Sequence, residues 1–250
     1  MKIIISPAKK ITKDTDSLPW RELPEFLPRT VELLERLRGM SYSELKALWR
    51  CSDALAEMNA KRLEHMDLYR ELTPAILAYE GIQYQHMAPG VFTDLAMEYV
   101  QRNLCILSGF YGILRPFDGV TPYRLEMQAK LPIGGFEDLY GFWGDSLMRR
   151  ITSETDCIVN LASKEYSLCV SRYLPENYSF LTISFAEKKQ GKLIEKGTMC
   201  KMARGEMVRF LAENCIENPE DMKAFSALGY QFSSEYSDRD RFTFLREEKR

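Results

Sequence analysis

Several short segments of this 250-residue chain hold side chains suited to chemistry. Ser6-Pro7-Ala8-Lys9-Lys10 puts a hydroxyl, a turn-setting proline and two amines directly after the β-branched run Ile3-Ile4-Ile5. Polar groups just outside a strand end are a common place for ligand sites in sheet proteins, though the same residues also make an ordinary solubilising turn. Ser108-Gly109-Phe110-Tyr111-Gly112, followed by Arg115, has two glycines three apart. That spacing permits a tight turn with exposed backbone N–H groups, a nest that suits phosphate. A turn needs glycine in any case, so the spacing alone is weak. In Pro122-Tyr123-Arg124-Leu125-Glu126-Met127, strand alternation sends Arg124 and Glu126 to the face opposite Tyr123, Leu125 and Met127. Asp145, after Gly141-Phe142-Trp143-Gly144, is a candidate base, an arginine partner or simply exposed. Asn160 and Ser163, with Lys164, Glu165 and Tyr166, follow another apolar run and converge with Ser6 and Lys9 if the two strands are neighbours.

The stretch from Glu187 to Arg209 is basic. Lys188, Lys189, Lys192, Lys196, Lys201, Arg204 and Arg209 stand against Glu187, Glu195 and Glu206, a local excess of four in a chain of net charge −2. Such a stripe suits phosphate contact; a solvated helix face is the plain alternative. Whole-molecule attraction to nucleic acid or to an anionic membrane is not expected at this net charge.

Other chemistries are excluded by what is missing. Two histidines, His65 and His86, cannot build a His-rich metal centre, and no Glu-x-x-His pair occurs. No G-x-S-x-G elbow, Walker loop or G-x-G-x-x-G is present. The six cysteines form no C-x-x-C pair. Reduced thiols in a cytoplasmic protein are expected, because no secretory signal opens the chain. Cys200 is the best candidate for a reactive thiol, with Lys196, Lys201 and Arg204 nearby to favour the thiolate. Neither a metal nor another cofactor is expected.

The elements that must position these groups follow from periodicity. Lys2 to Ser6, Leu104 to Leu107 and Cys157 to Leu161 read as buried strands. Helices are expected over residues 30–40, after the Ser41-x-x-Glu44 capping box, after Ser52 or Asp53, after Thr93, over residues 138–151 and over residues 197–216. A strand is expected within 119–130, a hairpin over 178–195 with Gln190-Gly191 at its turn, and two closing strands over 230–246. Strands and helices interleave irregularly, and 45% of residues are hydrophobic. The expectation is one α+β domain over residues 1–250, a mixed β-sheet flanked by helices, rather than a doubly wound parallel sheet.

Taken together, ISPAK at 5–9, LSGFYGILRPFD at 107–118, PYRLEM at 122–127, LYGFWGD at 139–145, NLASKEY at 160–166 and ARGEMVRF at 203–210 resemble the YaaA family of bacterial peroxide stress proteins. The resemblance spans almost the whole chain. It implies a cytoplasmic protein that limits hydrogen peroxide damage and is associated with lowered free intracellular iron. It also implies a basic cleft, DNA binding and a helix-hairpin-helix-like element, which would fall on Gly109 to Gly112 and its flanks.

Two functional readings follow. In the first, a monomer binds duplex or locally unpaired DNA with low sequence specificity. Lys9, Lys10, Arg115, Arg124, Lys188, Lys189, Lys201, Arg204 and Arg209 neutralise phosphates, backbone N–H groups at Gly109 and Gly112 add contacts, and Tyr111 stacks on a base. In the second, an enzyme acts on a small anionic or nucleotide-like substrate through Ser6, Lys9, Arg124, Glu126, Asp145, Asn160 and Ser163. There Ser6 and Lys9 form a Ser–Lys pair, and Glu126 or Asp145 serves as base.

Overall fold

The run Lys2–Ile5 is apolar on both faces, so it can only be an interior strand. In the computed structural model, which describes residues 1–246, Ile3, Ile4 and Ile5 are fully buried. This strand lies between two parallel neighbours, Leu104–Ser108 on one side and Cys157–Asn160 on the other. The parallel block continues through Ser179–Lys189 to Arg241–Arg246. Antiparallel strands finish the sheet. Gly112–Leu114 closes one edge and Tyr230–Phe232 the other, while Lys192–Ile194 folds back on the far end of Ser179–Lys189. The result is an eight-stranded mixed sheet within an α+β architecture, as the sequence implies. Its five contiguous parallel strands exceed what the irregular interleaving suggests. One continuous core cluster runs from Ile3 to Phe244.

Local signals explain most of the helices. Leu27–Arg38 begins on Pro28, and Ser41 and Glu44 form the reciprocal cap that opens Tyr42–Trp49. Asp53–Glu64 follows Ser52, and Thr93 caps Asp94–Asn103. The helix expected over 138–151 is broken in two. Gly144 takes a left-handed φ of 53°, which ends Leu139–Trp143 before Ser146–Thr152 starts. The strand expected within 119–130 shrinks to Gly119–Val120. Pro122 to Glu126 pairs with no ladder and a turn begins at Met127, although Tyr123, Leu125 and Met127 alternate into the core as the pattern requires.

The helix-hairpin-helix-like element is not formed at Gly109 to Gly112. Those residues are the turn of a β-hairpin between Leu104–Ser108 and Gly112–Leu114, because the flanking runs pair in register with each other. Gly112 has φ +74°, and a side chain on Gly109 would meet the Leu125 carbonyl oxygen at 2.7 Å.

The helix Gly197–Glu213 is the longest, and it packs closely on the short helix Ile82–Met87, which periodicity did not suggest. Gly205 sits at their crossing. A Cβ there would collide with the Gln83 carbonyl oxygen and lie 2.9 Å from the His86 Cβ. Overpacking of backbone on backbone cannot be relieved by a rotamer change, so Gly205→Ala is expected to destabilise by about 1–3 kcal/mol. Urea denaturation followed by circular dichroism measures it; an unchanged midpoint refutes the close crossing.

Candidate anion-binding groove

Parallel strands that are buried along their length release polar residues at their carboxyl ends. Lys2–Ile5 delivers Ser6, and Cys157–Asn160 delivers Ser163, the N-cap position of the helix Lys164–Ser171. The two serines are tied together. The Ser163 N–H donates to Ser6 Oγ at 2.8 Å, and the Ser6 hydroxyl donates to Ser163 Oγ at 3.1 Å. Tyr84, from the Ile82–Met87 helix, donates its hydroxyl to the Ser6 carbonyl at 3.0 Å. Around this junction lies a cavity of about 430 Å³. Its basic lining residues are Lys9, Lys10, Arg124, Lys201 and Arg204; its carboxylates are Glu80, Glu126 and Glu165.

Glu126 is the hub of the ionic network. Lys9 Nζ lies 2.9 Å from one carboxylate oxygen, and Arg124 donates to the other at 3.3 Å. Beyond this bar is a second cavity of about 540 Å³, which shares Lys9, Arg124 and Glu126 with the first. Arg36, Arg50, Lys130, Glu44 and Trp49 help to line it. Together the two adjoining cavities are lined by eight basic side chains and four carboxylates, in a chain of net charge −2.

The cations differ in what they already hold. Lys10 pairs with Glu80 at 2.5 Å. Arg204 meets no carboxylate among the described residues. Its Nε is enclosed without a hydrogen-bond acceptor, and burial pulls its guanidinium below its ordinary value. Glu165 is pushed up, chiefly by burial and further by the nearby Glu126 charge, although it accepts the Gln128 N–H at 3.2 Å. Gln83 is only 7% exposed, and its amide nitrogen also lacks an acceptor.

Of the residues singled out in the sequence, Ser6, Lys9, Lys10, Arg124, Glu126, Ser163, Lys201 and Arg204 line the first cavity together. Others lie elsewhere. Gly109, Tyr111 and Gly112 are buried, so they offer no surface to a ligand. The N–H groups of Phe110 and Tyr111 donate to the Ser108 hydroxyl at 3.2 and 2.9 Å, which consumes the expected anion nest. Arg115 stands at the opposite end of the sheet, beside Lys2 and Leu104 where their strands begin. It pairs there with Asp118 at 2.9 Å and with Glu22 at 2.6 Å. Asp145 pairs with Arg149 at 2.7 Å. Asn160 turns inward, and its side-chain oxygen accepts the Ala162 N–H at 3.0 Å. Arg209 pairs with Glu213 at 2.8 Å, one step down the long helix from the cavity. Lys188 and Lys189 project on the hairpin at the end of Ser179–Lys189, and Lys188 lies 5.4 Å from the Tyr236 ring centroid.

No Ser–Lys pair is formed, because the Ser6 hydroxyl serves Ser163 and Lys9 serves Glu126. Cys200 is not a thiolate site either. It is 5% exposed, donates to the Phe185 carbonyl, and burial pushes its thiol up despite Arg204 nearby. Arg36, Arg50, Lys130, Gln83 and Tyr84 carried no sequence signal of their own, since they come from helices and a turn remote in the chain. Among the described residues no group of three or more His, Cys, Asp or Glu is placed to hold a metal, and no helix is long and apolar enough to cross a membrane.

Residues 1–236 match the family model described as peroxide stress protein YaaA. The chain is also similar to UPF0246 proteins. It is 56% identical to that of Agathobacter rectalis over 246 residues, 98% of this chain and 99% of the relative. Against that of Lachnoclostridium phytofermentans the identity is 50%, covering 99% of this chain and 97% of the relative. Against that of Lactiplantibacillus plantarum it is 51%, covering 98% and 99%.

The burial of Asp118 beside Arg115 has a consequence for pH dependence. Burial is the largest influence on Asp118 and raises its carboxyl to about 6 from 3.8, outweighing the Arg115 contacts that pull it down. Ionised Asp118 therefore costs the folded state stability above pH 6, and that cost is relieved as pH falls towards 4. Carboxyl carbon NMR is expected to show a midpoint near 6 that disappears in Asp118→Asn. A midpoint near 4 contradicts the burial argument.

Proposed function

The chain belongs to the YaaA family of peroxide stress proteins, and from that premise we propose that it acts by binding nucleic acid along the bipartite groove, with little sequence specificity. One observation carries this reading: eight basic side chains against four carboxylates line two cavities that meet at the Lys9–Glu126–Arg124 bar. In a molecule of net charge −2, a localised excess of this kind attracts a polyanion where the rest of the surface does not. The groove is concave, and the two cavities succeed one another. That shape suits an unpaired strand or the splayed strand of a bubble better than an intact duplex, whose regular backbone spacing favours a flat or ridge-like basic face.

Sequence readout is not part of this reading. Hydrogen bonds to phosphates fix position without reporting the base, and the cationic residues here are matched to phosphates. Protection against peroxide is then exerted at the nucleic acid itself.

The experiment is fluorescence anisotropy with single-stranded, bubbled and duplex DNA across a salt series. Bubbled and single-stranded probes are expected to bind more tightly than duplex. The log–log salt slope is expected to be about −3 to −4, the release from roughly five single-strand phosphates. Arg36→Glu with Lys130→Glu is expected to weaken binding at least about tenfold and to flatten the slope by about one unit or more. Arg149→Glu, outside the groove, leaves both unchanged. Absence of binding at low salt, or affinity indifferent to salt, overturns the reading.

A further inference from the structure

We propose that the first cavity, at the carboxyl ends of the parallel strands, receives a single nucleotide, with the phosphate on Arg204 and the base against the tyrosines of the floor. For a nucleotide that is part of a strand, this rests on the nucleic-acid reading; for a free nucleotide it stands by itself.

Arg204 is the starting point. It projects from the long helix into the cavity lining, and its only fully enclosed nitrogen without a partner is Nε. The terminal N–H groups are not enclosed in this way, and they pair with no described carboxylate. An enclosed cation without a counterion is costly to keep, and an anion entering the cavity removes that cost. Two further polar groups line the same cavity. Gln83, held against the long helix at Gly205, is buried and its amide nitrogen has no acceptor. Ser163 makes no side-chain cap to its own helix, and its oxygen receives the Ser6 hydroxyl instead. The Tyr166 N–H is taken by the Ser163 carbonyl at 3.0 Å, which leaves the Lys164 and Glu165 amides for a ligand at the positive end of the helix. Lys201, exposed at the rim, adds charge.

Phosphate alone does not account for the volume. The cavity of about 430 Å³ falls in the range of small-molecule pockets, roughly 300–1,000 Å³. Tyr84, Tyr123 and Tyr166 supply aromatic lining beside the phosphate donors, which suits a base. A phosphate-binding cluster beside aromatic lining matches the two halves of a nucleotide.

The test uses the full chain and probes from both sources. Calorimetry compares AMP and CMP with adenosine, ribose 5-phosphate and inorganic phosphate. In parallel, bubbled DNA carries 2-aminopurine at an unpaired position, and its fluorescence is read on binding. If the cavity takes a free nucleotide, AMP or CMP binds with one-to-one stoichiometry, about tenfold or more tighter than adenosine or phosphate. Excess AMP then displaces bubbled DNA from the unmodified protein. If it takes a nucleotide of a strand, free AMP gives no heat but 2-aminopurine fluorescence changes on binding. In either case Arg204→Met weakens the response at least about tenfold and Arg204→Lys weakens it less. The competition on the unmodified protein keeps the result independent of whether the variants fold. DNA binding with no 2-aminopurine response, no AMP heat and no effect of Arg204→Met overturns the inference and leaves the nucleic-acid reading standing. Binding of AMP without binding of DNA does the reverse. Equal affinity for ribose 5-phosphate and AMP overturns the base half.

Discussion

A strand buried on both faces with parallel neighbours on both sides constrains everything else in this molecule. Ile3, Ile4 and Ile5 have no exposed surface, and a parallel strand cannot turn straight back into its neighbour. The chain must leave the sheet at Ser6, travel through nearly a hundred residues, and return at Leu104 at the opposite end of the sheet. All polar chemistry is driven to the strand ends. The carboxyl end gathers Ser6, Ser163 and the start of a helix, and the opposite end gathers Lys2, Arg115 and Asp118. The groove is a consequence of the sheet, since no other part of the strands has room for a ligand.

Closing that groove on its other wall depends on the contact at Gly205. The long helix can approach Ile82–Met87 only because no Cβ intervenes. That approach does three things at once. It buries Gln83, it sets His86 Nδ1 within 2.8 Å of Glu206, and it turns Arg204 towards the cavity. A basic stripe read from the sequence as one helical face is thereby divided. Arg204 is enclosed, Lys201 stands at the rim and Arg209 is neutralised by Glu213 on its own helix.

The legibility of the sequence follows the range of the forces involved. Short-range signals translate faithfully: the Ser41–Glu44 box, the Thr93 cap, the Gln190-Gly191 turn and the isoleucine run all appear where expected. Alternation over Tyr123 to Met127 correctly sends Arg124 and Glu126 away from the core, even without a ladder to hold the segment. What misled were glycines and arginines read without partners. Gly109 and Gly112 looked like an anion nest, yet one serine hydroxyl satisfies the amides and the core occupies the turn. Arg115 looked like a ligand residue three positions on, yet a buried Asp118 claims it. Arg36, Arg50 and Lys130 enter the groove through tertiary packing, which no local pattern encodes.

The arrangement of charge also explains why the groove is not emptied by its own electrostatics. Eight cations in adjoining cavities repel one another, and without compensation the fold would pay for that repulsion. Glu126 holds Lys9 and Arg124 together, and Glu80 holds Lys10. These pairs are partly exposed, so they add little net stability, but they cap the local field until a ligand arrives. A polyanion does not need to break them to bind. It can share Lys9, whose side chain is 67% exposed and retains free N–H donors beside Glu126. Arg36, Arg50, Lys201 and Arg204 have no such counterion among the described residues, and of these four only Arg204 has a nitrogen enclosed without an acceptor. The contrast sets apart two roles within one basic surface: cations paired with carboxylates or screened by water, which set the field along the groove, and one partly enclosed guanidinium that a ligand can compensate.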